Sequence, residues 1–147
     1  MTTSIRQPEP ALAYASCCMY SDSLDPPFWT RYFGVEPDSA FMKGQRFKTP
    51  SGRMSRVPGR TGVWRYSSRD RLHADDLDPH ISFLISSLAL PRPELPALLR
   101  SKDVRMVISC FWYHELGELH QAVVGADLRK IIEISGGVID IDECGPD

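Results

Sequence analysis

Basic residues are concentrated in one stretch of this 147-residue chain. Between Lys43 and Arg71 there are nine lysines and arginines and one acid, Asp70, so this stretch, the basic segment, carries +8. Because the whole chain carries −2, the other 118 residues carry −10. Guanidinium groups present paired donors to carboxylates and phosphates. The basic segment therefore indicates an anionic partner more than it indicates a fold.

Two binding functions are compatible with the basic segment, and the alternative to both is a solvated hairpin partly neutralised by the acidic body. The segment could bind an acidic protein surface, or it could follow the phosphates of a nucleic acid or phosphorylated ligand while an aromatic ring stacks on a base. The acidic remainder and a pI near 6.1 argue against nucleic acid. The predicted binding residues are Arg46, Arg53, Arg56, Arg60, Trp64 and Arg65, with Trp112 as a second apolar anchor if it is exposed.

Two groups of residues could hold a metal ion, but neither matches a metal site well. His114 and His120 resemble the HExxH zinc motif, yet zinc needs its two imidazoles at i and i+4 on one helical face, and here they are six residues apart. Asp140 and Asp142 share one side of a predicted strand, where acids also serve simply to keep a strand soluble. We expect no metal and no cofactor.

Nucleophilic catalysis has no clear motif in this chain. None of the four cysteines is spaced as CxxC, and neither a GxSxG elbow nor a phosphate-binding glycine loop is present. We therefore expect reduced cysteines and no enzyme activity. One enzymatic alternative is left open, a pocket lined by Tyr14, Cys110, Trp112 and His114.

The elements that must position these residues follow from hydrophobic periodicity and from start and stop signals. Alternation indicates strands, and apolar residues at i, i+3, i+4 and i+7 indicate helices. Helices are predicted to begin at Asp25 and Asp78 and to cover 94–102 and 127–135. Strands are predicted over 11–20, 39–47, 63–67, 104–113 and 138–144, with a further short strand over 120–124.

Strand alternation also predicts which residues share a face. Cys17 and Cys18 should face opposite ways, and Val63, Arg65 and Ser67 should lie together. The second and third strands should pair as a long hairpin. The strand 104–113 is apolar on both faces, which is typical of a central strand covered on both sides.

The predicted fold is a single α+β domain over residues 11–147, built as a two-layer sandwich. A mixed or mostly antiparallel sheet of five to six strands should carry about four helices packed mainly on one face. Residues 1–10 form a polar, proline-containing leader, and 49–62 lack an apolar period, so both are expected to be flexible. The chain has no signal-peptide pattern and no apolar run of about 20 residues, so we expect a cytoplasmic protein without a membrane span.

An ordered set of short motifs resembles a bacterial family known as domain of unknown function 4279. The resemblance runs from about Ala11 to Cys144 and implies an α+β fold with no catalytic residue set. Its pieces, in chain order, are Leu24-Asp25-Pro26, Phe33-Gly34-Val35-Glu36-Pro37, Lys43-Gly44, Gly62-Val63-Trp64, Asp78, Cys110-Phe111-Trp112 and Ile139-Asp140-Ile141-Asp142.

The sequence favours a non-enzymatic protein-interaction module that binds an acidic partner through residues 43–71. The suggested setting is an immunity or accessory protein of a bacterial toxin system. The alternative function is binding of a nucleic acid or a phosphorylated ligand by the same arginine-rich loop.

Overall fold

A computed structural model describes residues 13–49, 52–113 and 123–144. These residues form five strands and four helices in one α+β unit. The strands are β1 (Ala13–Ser21), β2 (Ser39–Phe41), β3 (Gly62–Ser67), β4 (Arg105–Tyr113) and β5 (Gly137–Cys144), and the helices are α1 (Pro26–Phe33), α2 (Leu77–Leu88), α3 (Leu95–Lys102) and α4 (Ala126–Ile134).

The five strands form one mixed sheet in the order β2-β3-β1-β4-β5. The pairs β2/β3, β3/β1 and β1/β4 are antiparallel, whereas β5 runs parallel to β4 after the crossover through α4. The core gathers residues from the helices and from one face of the sheet. This arrangement confirms the predicted α+β sandwich with its helices mainly on one face.

Side-chain alternation along β1 separates the two faces of the sheet. Ala13, Ala15, Cys17 and Met19 are fully buried under the helices. The intervening side chains point to the opposite face, which no helix among the described residues covers and which we call the open face. The predicted opposition of Cys17 and Cys18 is thus confirmed.

The helix boundaries follow the predicted signals to within one residue. As expected, α1 begins after Asp25; it ends at Phe33, and the following Gly34 adopts a left-handed φ of 72°. Helix α2 begins at Leu77, one residue before the predicted Asp78. The Asp78 carboxylate accepts a 2.8 Å hydrogen bond from the backbone N–H of Gly125, the residue before α4, and so joins the starts of α2 and α4.

Several local predictions differ from the structure. The second strand ends at Phe41 rather than at residue 47, because a turn follows in which Gly44 has a positive φ of 87°. The strand β4 is interior, as predicted, but the helices of the described ranges cover only one of its faces. Val124 lies outside any strand. The leader 1–10 and most of the predicted strand 120–124 lie outside the described residues.

Gly62 lies where β3 passes closest to the turn between β1 and α1. A Cβ atom there would sit 2.5 Å from the Leu24 Cβ and 2.7 Å from the Ser21 carbonyl oxygen. A backbone oxygen cannot rotate away, so Gly62→Ala should lower the free energy of unfolding by about 1–3 kcal/mol. Urea denaturation measures the loss. Gly59→Ala should cost less, because the atoms nearest to its Cβ belong to the half-buried Phe41 ring. Equal stability of wild type and Gly62→Ala would contradict this packing.

Candidate functional site

A groove of about 820 Å³ lies on the open face, over β2, β3 and the start of β1. Its floor consists of sheet residues and its wall consists of residues 46–49 and Met54. A volume of this size is within the range of small-molecule sites in proteins. The lining includes the aromatic residues Tyr14 and Phe41 and the cations Arg46, Lys48, Arg65 and Arg69.

The wall of the groove is an irregular hairpin within the basic segment. Backbone hydrogen bonds join Gly59 N to Gln45 O at 2.8 Å and Ser55 N to Phe47 O at 2.7 Å. The Phe47 ring stacks on Phe41 with centroids 4.3 Å apart, which ties the hairpin to β2. The loop thus has backbone order that apolar periodicity did not reveal. Its predicted flexibility over 49–62 stays a prediction.

Four cations converge on this groove. Arg65 and Arg69 rise from the floor, and Arg46 and Lys48 extend from the wall. None of the four forms an ion pair with a carboxylate of the described residues, where the ion pairs are Lys43–Asp22 and Arg71–Asp38. They are therefore available to an external anion.

Two acids, Asp38 and Asp70, line the groove beside its four cations, so positive charge remains in excess. The Asp38 carboxylate accepts hydrogen bonds from Ser67 N at 2.7 Å and from Arg71 Nη1 at 2.8 Å, so it is already paired with a cation outside the groove lining. Burial works against the charge of Arg65, but Cys18 and Tyr20 outweigh it and raise the pKa of the guanidinium. Arg65 therefore stays positively charged, and the groove keeps a cationic floor.

The predicted binding residues divide into three groups. Arg46 and Arg65 line the groove, as an anion-binding role requires. Arg53, Arg56 and Arg60 are exposed on the hairpin but lie outside the groove lining. Trp64 does not fit the predicted binding role, because it is fully buried and cannot contact a partner.

The position of Trp64 follows from strand alternation. Trp64 lies on the helix-covered face, packs against Phe33 at 5.4 Å between centroids, and donates its indole N–H to Thr30 Oγ1 at 3.0 Å. Alternation correctly predicted that Trp64 and Arg65 lie on opposite faces of β3. It does not say which of the two faces the helices cover.

Sequence reasoning missed Arg69 and Lys48. Arg69 continues the alternation of Arg65 and Ser67 beyond the end of β3, and Lys48 likewise alternates with Arg46. The spacing of two was therefore the available signal. This spacing does not reveal the long-range pairing of residues 45–59, which brings Arg46 and Lys48 to the same groove as Arg65 and Arg69.

The described residues of the alternative enzymatic pocket do not come together. Tyr14 lies on the open face, whereas Cys110 and Trp112 lie on the helix-covered face. Burial raises the pKa of Cys110 to about 12, with Asp140 adding to the effect and Arg129 opposing it. Burial likewise raises the pKa of Cys17. Both thiols therefore stay protonated and are poor nucleophiles. His114 lies outside the described residues.

Among the described residues, no three histidine, cysteine or acidic side chains come together as a metal site would require. His114 and His120 lie outside that range, so the HExxH-like segment is not described. No helix within that same range is long and apolar enough to cross a membrane.

Comparison with known proteins gives a family match. The model of a family described as Domain of unknown function (DUF4279) matches residues 12–143. No curated protein and no solved structure matches the chain. The match covers every described strand and helix except Cys144, the last residue of β5.

Proposed function

The chain belongs to the DUF4279 family, whose description names no activity, and we propose that it is a non-enzymatic module that binds an acidic protein segment in the groove. One observation carries this proposal. Arg46, Lys48, Arg65 and Arg69 line a single groove of about 820 Å³ without any carboxylate partner among the described residues. Such guanidinium groups pair bidentately with carboxylates.

The shape and composition of the groove favour a peptide segment over a single ion. Phe41, Phe47 and Tyr14 give the groove apolar surfaces next to its cations. An extended segment could place acidic side chains on the arginines and apolar side chains on the rings. Charged contacts would fix its orientation, and ring contacts would supply buried area.

We propose the bacterial cytoplasm as the location of this module and an immunity or accessory role in a toxin system as its setting. A gene for a secreted toxin beside the gene for this chain would support that setting. The binding proposal itself is independent of the setting, because it depends only on the groove.

A display library of random twelve-residue peptides tests the proposal. Selection on the wild-type protein should enrich aspartate and glutamate next to apolar residues. Binding of the enriched peptides should weaken at least tenfold in the double variant Arg46→Ser/Arg65→Ser, because hydrogen bonds to charged groups contribute about 1.5–3 kcal/mol each.

The matched control is Arg53→Ser/Arg56→Ser, which removes two cations of the same hairpin that do not line the groove. This control should change affinity by less than roughly threefold, since exposed charge pairs contribute about 0–1 kcal/mol. Enrichment of non-acidic peptides, or equal losses in both double variants, would refute the proposed site.

A second candidate function uses the same groove for a single-stranded nucleic acid or a phosphorylated ligand. The observation that favours it is the proximity of the Phe47 and Tyr14 rings to four cations, because stacking and phosphate contacts together bind single strands. Electrophoretic shifts of a labelled oligonucleotide across salt concentrations decide between the two functions. A slope of about −0.7 per phosphate contact would support this candidate, and no shift at low salt would remove it.

A further inference from the structure

One row of side chains crosses the open face with a regular order of charge. Tyr14 lies opposite Phe111, and Phe111 lies opposite Asp142 in the strand register. Ser16 pairs with Ser67, so Arg69 lies two residues further on, at the level of Tyr14. The Arg69 guanidinium is 5.4 Å from the Tyr14 ring centroid. The Tyr14 and Phe111 rings stack with their centroids 5.0 Å apart. The row therefore reads cation, ring, ring, anion.

Arg69 and Asp142, at the two ends of this row, are too far apart to form an ion pair with each other. Three strand spacings separate Arg69 from Asp142, a distance of about 14 Å. Asp140 shares the open face with Asp142, and both are exposed without an ion pair to a described cation. The open face is thus basic along β3 and the hairpin wall beside it and acidic along the edge strand β5.

We infer that a second copy of this chain packs on the open face about a two-fold axis that runs parallel to the strands, between β1 and β4. This operation reverses the strand order, so β3 of one copy lies over β5 of the other and β1 lies over β4. Arg69 then meets Asp142 of the second copy, and Tyr14 meets its Phe111. The inference rests on the proposed function, because it identifies the acidic segment in the groove as the β5 edge of a second copy.

The apolar side chains on this face are consistent with such packing. Val138 is 55% exposed on this face, next to the buried Val107. A second sheet at the usual spacing of about 10 Å would cover Val138. The groove wall stands outside β3, where the edge strand of the second copy would come to rest against Arg46 and Lys48.

The size of the face predicts a reversible dimer. The four strands that overlap, β3, β1, β4 and β5, at about 4.8 Å spacing and about 20 Å of strand length give roughly 400 Å² per copy. That area lies at the low end of specific interfaces, which is typical of transient association. We therefore expect a dimer whose population rises with protein concentration and falls with added salt.

Sedimentation velocity of the wild type over a range of concentrations tests the inference. The expected mass rises from 16.6 kDa toward twice that value. Arg69→Asp and Asp142→Arg should each weaken the dimer at least tenfold, because every contact of a two-fold interface occurs twice and like charges would meet at both. An equimolar mixture of the two variants should restore association to within roughly threefold, since each of its two contacts again joins opposite charges.

The matched controls reverse exposed charges in the helix layer. Arg31→Asp and Glu133→Arg change the net charge as the test variants do, but they lie in α1 and α4. Both should associate like the wild type. Circular dichroism confirms that all variants fold.

Three results would overturn the inference: a wild type that stays monomeric, equal effects of test and control variants, or a mixture that fails to associate. Titrating the enriched acidic peptide into Asp142→Arg separates the two proposals, because that variant keeps the cations of the groove. Peptide binding by a protein whose wild type is monomeric overturns the dimer alone. Absence of both peptide binding and self-association overturns both proposals.

Discussion

Trp64→Ala should lower the free energy of unfolding by about 3–5 kcal/mol, as large-to-small substitutions of buried aromatic residues do. The indole is fully buried, packs against Phe33 and donates its N–H to Thr30 Oγ1 at 3.0 Å. Alanine would remove the ring and leave a cavity between α1 and β3. Since whole domains are stable by about 5–15 kcal/mol, urea denaturation followed by circular dichroism should show a much lower midpoint.

Trp64→Phe separates a structural role from a binding role. Phenylalanine keeps a ring in the core but loses the donor to Thr30, so a smaller loss of stability is expected, and the variant should remain folded. Its affinity for the enriched acidic peptides should match that of the wild type. A stable Trp64→Phe that no longer binds them would restore Trp64 to the binding set that the sequence suggested.

The fold was largely predictable because its elements have strong local signals. The alternation of Cys17 and Cys18 and the i, i+3, i+4, i+7 spacing of Ile81, Leu84, Ile85 and Leu88 each define an element without tertiary information. The parallel pairing of β5 with β4 was beyond such signals. It depends on the crossover through α4, which no local pattern encodes.

The candidate site was only partly predictable, for two physical reasons. A period of two separates Arg65 from Trp64 but does not say which of them meets the helices, because the strand carries apolar residues on both sides. The groove also depends on contacts between residues far apart in sequence, such as Gly59 N to Gln45 O and the Phe41–Phe47 stack. Net charge located the segment, whereas tertiary pairing selected Arg46, Lys48, Arg65 and Arg69 from it.

His80→Ala should be similarly destabilising, by about 3–5 kcal/mol, because it removes a fully buried ring and two hydrogen bonds. His80 Nε2 lies 2.8 Å from the Ala74 carbonyl oxygen, which can only accept, so Nε2 carries the proton. Nδ1 then accepts from Ser68 Oγ at 2.7 Å, while Ser68 Oγ accepts from Ala15 N at 2.9 Å. Urea denaturation measures the loss, and His73→Ala, at an exposed histidine, should stay within about 0.5 kcal/mol of the wild type.

A double-mutant cycle with Ser68 tests whether this chain of hydrogen bonds acts as one unit. Ser68→Ala should cost about 2 kcal/mol, because it leaves Nδ1 of His80 and the N–H of Ala15 without partners. The double variant His80→Ala/Ser68→Ala should lose about 1 kcal/mol less than the sum of the single losses, since the bond between them is removed only once. Strict additivity would mean that the two residues act separately.

This coupling also bears on the groove, because Ser68 lies between Ser67 and Arg69. The hydrogen bond from Ser68 to the buried His80 fixes the end of β3, from which Arg69 extends onto the open face.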